Sequence, residues 1–293
     1  TSNLCGALEF AEKISKSGTQ PIIGTQINIK IHDTIGLIPL YALNETGYKN
    51  IIDLSSASYL NNDELSDPHV TFDYLLNNSE GVALFSGTVF GLFGKLFDKG
   101  KFSEIHDLYN KIKLKFGDRF YIEIQRHKDL NESGFEKFNL KKSSDLEIPI
   151  IATNEVYYLN KDMHEAHDAL ICIGNKTYVN EKNRLKLSDQ HYFKNNSEMS
   201  ELFADLPEAL ENNYNFPLRC NFRPLFSNPI LPNISQEKGG DADEILKKES
   251  LEGLKTKFKK VFNISANDIE TEKNYLDYKK RLDHELSIIR ERK

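Results

Sequence analysis

Four groups of residues have the types and spacings that chemistry uses. His164 and His167 stand three apart in a stretch of helical periodicity, which lets two imidazoles reach one metal ion. His127 closes Phe120-Tyr-Ile-Glu-Ile-Gln-Arg-His, just past an apolar run that reads as a strand. Thr153, Asn154 and Glu155 follow a second such run, Ile150-Ile-Ala152, behind the breaker Pro149. The carboxyl ends of strands are where α/β folds build their sites. Finally, Asp241 and Asp243 look like the paired acids of two-metal phosphoryl transfer.

Most of these have plainer readings. Asp241 and Asp243 follow Gly-Gly and start a helix, where acids complement the helix dipole. His164 and His167 read as packing or hydrogen-bonding groups, and His32, His69, His106, His191 and His284 as solvated side chains. His127, in a site-like position after a strand, is the one histidine with a residual site role as its lesser reading. The sequence has no glycine-rich phosphate loop with a lysine, and no Ser-His-Asp arrangement can be read from it.

The elements that must position these residues alternate along the chain. Residues 7–17 place Leu8, Ala11 and Ile14 on one face and stop at Gly18, an amphipathic helix with a glycine cap. Pro21-Ile-Ile-Gly24 reads as a buried strand, Gln26–Lys30 alternates like a half-exposed one, and Leu37–Leu43 is a further apolar run. A helix carries Tyr48 to Leu60, and residues 61–68 form a loop. Gly81–Phe85 is a strand, Phe102 to Gly117 a helix, Phe120–Ile124 a strand, and Asn131–Glu147 a helical segment. Ala166, Leu170 and Ile173 form one face of the helix after Glu155. Asp205-Leu-Pro-Glu208 reads as a helix cap, with proline in the first turn. Helix-then-strand units with short apolar strands predict a parallel sheet or barrel. Residues 231–240 are the expected linker between a first domain, 1–230, and two amphipathic helices within 241–293. The second of those helices carries Tyr275, Tyr278, Leu282, Leu286 and Ile289 on one stripe.

At 293 residues with a net charge of −6, the chain lacks the basic field of a module that grips nucleic acid unaided. Any service to DNA is therefore expected within something larger. No apolar run approaches the roughly 18 residues of a membrane span. Cys5, Cys172 and Cys220 are far apart, with no Cys-x-x-Cys pair, and are expected as reduced, buried thiols.

One stretch, Leu146 to Gly174, resembles the "P-hydrophobic-hydrophobic-A-T-N-D-V-x-Y-L … A-H-D-x-L-x-C-I" signature of bacterial DNA polymerase III alpha subunits. More narrowly, it resembles their PHP domain (polymerase and histidinol phosphatase). Asn3–Ala7, Pro21–Gly24, Asn44-Glu-Thr-Gly-Tyr48, Phe116-Gly-Asp-Arg-Phe120, Glu201-Leu-Phe-Ala-Asp-Leu-Pro-Glu-Ala-Leu-Glu-Asn212, Arg219–Asn221 and Tyr278–Leu286 agree in the family's order. The resemblance implies a distorted seven-stranded β/α barrel followed by helices that begin a polymerase (palm) region. It also makes the chain a piece of a longer one, since Thr1 falls in mid-motif.

An active PHP site holds metal ions with His, Asp, Glu and Cys ligands. Traced onto this sequence by the resemblance, those positions fall on Thr1, Gln26, Leu37, Thr88, Glu155 and Tyr157. Only Glu155 keeps a ligating carboxylate. Removing charged ligands leaves too little to offset dehydration of the ions, so no metal is expected here. The resemblance therefore implies a degenerate, non-catalytic scaffold within a cytoplasmic, replisome-bound polymerase. The whole subunit would use Mg²⁺, bind primer–template DNA elsewhere, and have the proofreading exonuclease (epsilon) and other replisome subunits as partners. Its polymerase aspartates would lie beyond Lys293. The alternatives are an active metal-dependent PHP phosphoesterase or 3′–5′ exonuclease, and a free-standing PHP protein.

Overall fold

In the computed structural model, residues 3–62, 66–229, 241–262 and 273–291 are described. They divide into two compact units, one up to Phe226 and one from Ser227. Thr1 and the expected linker 231–240 lie outside the described residues.

The first unit is built on a six-stranded mixed sheet with α-helices packed on it. Its described α-helices are α1 (Ala7–Lys16), α2 (Glu45–Leu60), α3 (Phe72–Asn77), α4 (Leu92–Asp98), α5 (Phe102–Phe116), α6 (Glu132–Leu146), α7 (His164–Asn175), α8 (Asn196–Leu202) and α9 (Pro207–Asn215). Its two longest strands, β1 (Gly24–Ile31) and β2 (Thr34–Ala42), form an antiparallel hairpin in register Gly24↔Tyr41 to Ile31↔Thr34. His32 takes a positive φ of 51° in the connecting turn. The hairpin departs from the parallel arrangement predicted by alternating helices and strands. The two apolar runs are separated by a turn and no helix, so the second strand can only fold back on the first. Pro21-Ile-Ile precedes β1 instead of forming a strand of its own.

The strand order is β3-β1-β2-β4-β5-β6, with β3 Val70–Thr71, β4 Val82–Phe85, β5 Phe120–Ile124 and β6 Ile150–Ala152. β2 pairs with β4 antiparallel, whereas β1–β3, β4–β5 and β5–β6 are parallel. This α/β sheet with covering helices is consistent with the distorted β/α barrel, with six strands among the described residues.

Side-chain alternation divides the strands between two environments. Val82 and Leu84, Phe120, Ile122 and Ile124, and Ile150 and Ala152 join the main core. There they meet α2 (Glu45–Leu60) and α5 (Phe102–Phe116), through Ile51, Leu54, Ile105, Tyr109 and Ile112 among others. Ala83 and Phe85, Tyr121 and Ile151 point to the opposite face, into a smaller cluster with Leu43, Phe216 and Cys220. Tyr41, Phe85, Tyr121 and Phe216 pack there with ring centroids 4.5–5.7 Å apart, mostly edge to face.

The motifs along the chain acquire physical reasons in this frame. Asn44 caps α2, its Oδ1 accepting the Gly47 N–H at 2.9 Å. Gly47 lies so close to the Gly81 carbonyl that a Cβ would come within 1.9 Å of its oxygen. Arg219 donates to the Asp118 carboxylate, at 2.8 Å, and to the Tyr121 hydroxyl, at 2.7 Å. That ties Arg219-Cys-Asn221 to Phe116-Gly-Asp-Arg-Phe120.

The Asn131–Glu147 segment is helical as read, forming α6 (Glu132–Leu146) over 15 residues. Several local expectations need correction. The Asp205 side chain does not cap α9 (Pro207–Asn215), where Leu206 is the N-cap; it is drawn to Arg126. On α7 (His164–Asn175) the buried residues are Asp168 and Cys172, while Leu170 and Ile173 are exposed. The reason is Arg184, which binds Asp168 through two hydrogen bonds of 2.6 and 2.7 Å and turns that polar face inward. Cys172 and Cys220 are buried free thiols, but Cys5 is exposed.

In the second unit, helices Ala242–Phe262 and Lys273–Glu291 pack through Phe258 and Tyr275, 5.5 Å between centroids. Of the expected stripe on the second helix, Tyr275 and Leu286 are buried, whereas Tyr278 and Ile289 are exposed. No helix among the described residues is long and apolar enough to cross a membrane.

Candidate functional site at the carboxyl end of the sheet

The face that carries the aromatic cluster becomes polar toward the carboxyl ends of β4, β5 and β6. Two residues beyond Tyr121 the chain places Glu123, and two beyond Ile151 it places Thr153. Thr153 Oγ1 donates to Glu123 Oε1, and Gln125 Nε2 donates to the same oxygen at 3.0 Å. The other oxygen, Oε2, is buried without a hydrogen-bond partner. Burial therefore dominates over these hydrogen bonds, and the Glu123 carboxyl is pushed up to about 6.

Beyond the ends of β4 and β6 lies a small cleft of about 100 Å³. Gln26, Leu37, Thr88, Glu155 and Tyr157 line it, with Pro39, Gly87, Phe90 and Gly91. Gln26 and Pro39 are cross-strand partners in the hairpin, so β1 and β2 form one wall. Thr88 Oγ1 is turned back to accept the Phe90 N–H at 3.1 Å. Burial, reinforced by the neighbouring Glu155 carboxylate, raises the Tyr157 hydroxyl well above its usual range, leaving it a neutral hydrogen-bonding group. Five residues far apart in sequence thus meet in one cleft. The donors they offer an ion are one carboxylate, one amide and two hydroxyls.

A second cluster sits beside this cleft. His127 follows β5, Asp129 follows it after Lys128 in the left-handed region (φ 63°), and His191 comes from a later extended segment. That segment is held by the Tyr158↔Tyr192 bridge and by the Tyr157 N–H donating to the His191 carbonyl at 2.9 Å. The two imidazoles are 1% exposed and stack with centroids 4.0 Å apart and planes 5° apart. His191, and likewise His69, is therefore buried and not solvated as its sequence context suggests. No local pattern marks His191; only the pairing of its segment with residues 157–158 brings it to His127.

His164 and His167 do not converge on a common ligand. His164 Nε2 lies 3.1 Å from the Leu187 carbonyl, and the His167 ring stacks on Tyr157 at 5.3 Å. Asp243 stands in the first turn of its helix and faces Arg290 at 3.8 Å.

Residues 1–127 match the family model of the PHP domain. Over 98% of its length the chain is 38% identical to the DNA polymerase III subunit alpha of Rickettsia bellii. Against the protein of the same name from Caulobacter vibrioides it is 36% identical over 99%, and against that from Pseudomonas aeruginosa 30% identical over 98%. The chain belongs to the DNA polymerase III alpha subunit family. It spans about a quarter of the length of these relatives, 25% of each.

Within this PHP-type unit, Gln26, Leu37, Thr88, Glu155 and Tyr157, five of the positions traced for the family's metal ligands, line one cleft together. His127 lies outside that lining and stacks on His191, whose Nδ1 is 3.1 Å from the Glu155 carbonyl.

Proposed function

We propose that this chain is the PHP portion, and the beginning of the polymerase region, of a replicative DNA polymerase alpha subunit in the bacterial cytoplasm. The parent protein would extend a primer with deoxynucleoside triphosphates, using two Mg²⁺ ions held by aspartates beyond this segment. Residues 1–230 would form the PHP domain, 231–240 the linker and 241–293 the start of the palm region.

In this reading the PHP portion is a scaffold without hydrolytic activity. The observation that carries it is the lining of the cleft. A cluster of divalent ions needs several anionic or imidazole donors to offset dehydration. Gln26, Leu37, Thr88 and Tyr157 supply none, and Glu155 alone does not fit such a cluster. The net charge of −6 agrees with a part that leaves primer–template binding to the rest of the subunit. Docking of the proofreading exonuclease on this portion follows from the family resemblance. The exposed apolar residues Leu170 and Ile173 on α7 are a surface available to it.

Hydrolysis of a model phosphodiester by the natural full-length protein, with and without chelator, tests the scaffold reading. No chelator-sensitive hydrolysis is expected. Hydrolysis that a chelator abolishes and that Glu155→Gln removes would overturn it, in favour of an active PHP phosphoesterase.

A further inference from the structure

We propose that His127, Asp129 and His191 form a binding site for one divalent ion of the zinc class, beside the cleft and separate from it. Each residue presents a ligating atom, and these atoms lie within 4.8 Å of one another. None of the three is a position traced for the family's metal cluster.

The contacts around His191 favour a positive charge at Nε2. Its Nδ1 faces the Glu155 carbonyl oxygen at 3.1 Å, and its Nε2 faces Asp129 Oδ2 at 3.1 Å. Both partners only accept hydrogen bonds, whereas a neutral imidazole has a single N–H. A second proton would satisfy both contacts by pairing an imidazolium with Asp129. A metal ion on Nε2 replaces that proton. Nδ1–H then donates to the Glu155 carbonyl, an arrangement that fixes the tautomer of a ligating histidine.

His127 is prepared in the same way. Its Nε2 lies 3.1 Å from Asn154 Oδ1. The Asn154 amide is oriented by Nδ2 donating to the Tyr192 carbonyl at 2.9 Å and by Lys194 Nζ donating to Oδ1 at 3.2 Å. Nε2 therefore carries the proton, and Nδ1 keeps its lone pair. The nearest carboxylate, Glu132, is 3.5 Å from Nδ1 and already accepts the backbone N–H groups of His127 at 2.8 Å and Lys128 at 2.7 Å. It balances charge, while Asp129, whose Oδ2 faces His191 Nε2, is the anionic ligand. Lys128, in its left-handed conformation, turns the chain between the two ligands.

Two imidazole nitrogens and a carboxylate oxygen match zinc and its neighbours, which accept mixed N and O donors. Magnesium and calcium prefer oxygen throughout. The ion would tie the β5 loop to the segment that carries His191, and so brace the Glu155–Tyr157 wall of the cleft.

The test uses the natural full-length protein, stripped of metal and titrated with Co²⁺ and Zn²⁺. The readouts are ligand-field absorption, metal content after desalting, and X-ray absorption at the zinc edge. The expected result is one tightly held equivalent with two imidazoles in its shell. Asp129→Asn and His191→Gln should each lose that equivalent, with affinity falling more than about tenfold. The variants should melt with the chelated wild type, which shows that they fold. Absence of tightly bound zinc in the wild type would overturn the proposal, as would metal retained by both variants. A shell without imidazole would overturn it too, and by placing the ion at Glu155 it would also count against the scaffold reading.

Discussion

Arg126 and Asp205, 79 positions apart, face each other through two parallel hydrogen bonds of 2.6 and 2.8 Å. The same guanidinium holds Glu136 through bonds of 3.1 and 2.6 Å, donates to the Leu202 carbonyl at 2.7 Å, and lies 4.9 Å over the Phe203 ring. One side chain thus joins the end of β5, α6 and the segment leading into α9.

Replacing Arg126 leaves Glu136, 16% exposed at its side chain, without its partner. Arg126→Ala is expected to destabilise the first unit by about 3 kcal/mol, the usual result of breaking a largely buried pair. Asp205 is 64% exposed, and Asp205→Ala should cost only about 1 kcal/mol. Urea unfolding midpoints of the two variants check this; equal losses would show that Glu136 is not the dominant partner.

The meeting of α2 with Gly81 makes a second prediction. In Gly47→Ala the new methyl would lie 1.9 Å from a backbone oxygen, which cannot rotate away. A loss of about 3 kcal/mol is expected, at the upper end for overpacking. Gly174 on α7 has nothing within 4 Å of an added Cβ, and Gly174→Ala should be neutral or slightly stabilising. Thermal melting of both variants separates a steric requirement from general intolerance of substitution.

Glu123 gives stability a pH dependence of unusual sign. Its folded carboxyl is pushed up to about 6 from an ordinary 4.5, so between these values the folded state binds more protons than the unfolded one. This contribution is fully present below pH 4.5 and is lost as pH rises through about 6. The loss amounts to about 2 kcal/mol. Glu123→Gln should remove that component and melt higher than wild type at neutral pH. Melting curves across the window decide the matter, and an unchanged slope in the variant would refute it.

Leu170 and Ile173, 63% and 75% exposed, offer a way to test exonuclease docking. Leu170→Asp with Ile173→Asp should leave the melting temperature within about 2 °C, as surface substitutions usually do. Binding of the purified exonuclease subunit, followed by calorimetry, should weaken at least tenfold. Undiminished binding would move the docking surface elsewhere on the protein.

By itself the sequence determined the family, the α/β class, most helices and the five positions that line the cleft. The breaker Pro149 and the helix-ending glycines Gly18 and Gly117 are legible because caps, breakers and apolar periods are local properties of a chain. The tertiary structure decided what depends on distant residues. It turned two expected parallel strands into the β1–β2 hairpin. It gave the Asp205 carboxylate to Arg126 instead of to a helix cap. By turning Asp168 inward to meet Arg184, it left the apolar stripe of α7 facing solvent. It also buried His191, a residue with no distinguishing neighbours, against His127. Burial and charge pairing are set by groups that meet only when the chain has folded, and no spacing within a single segment records them.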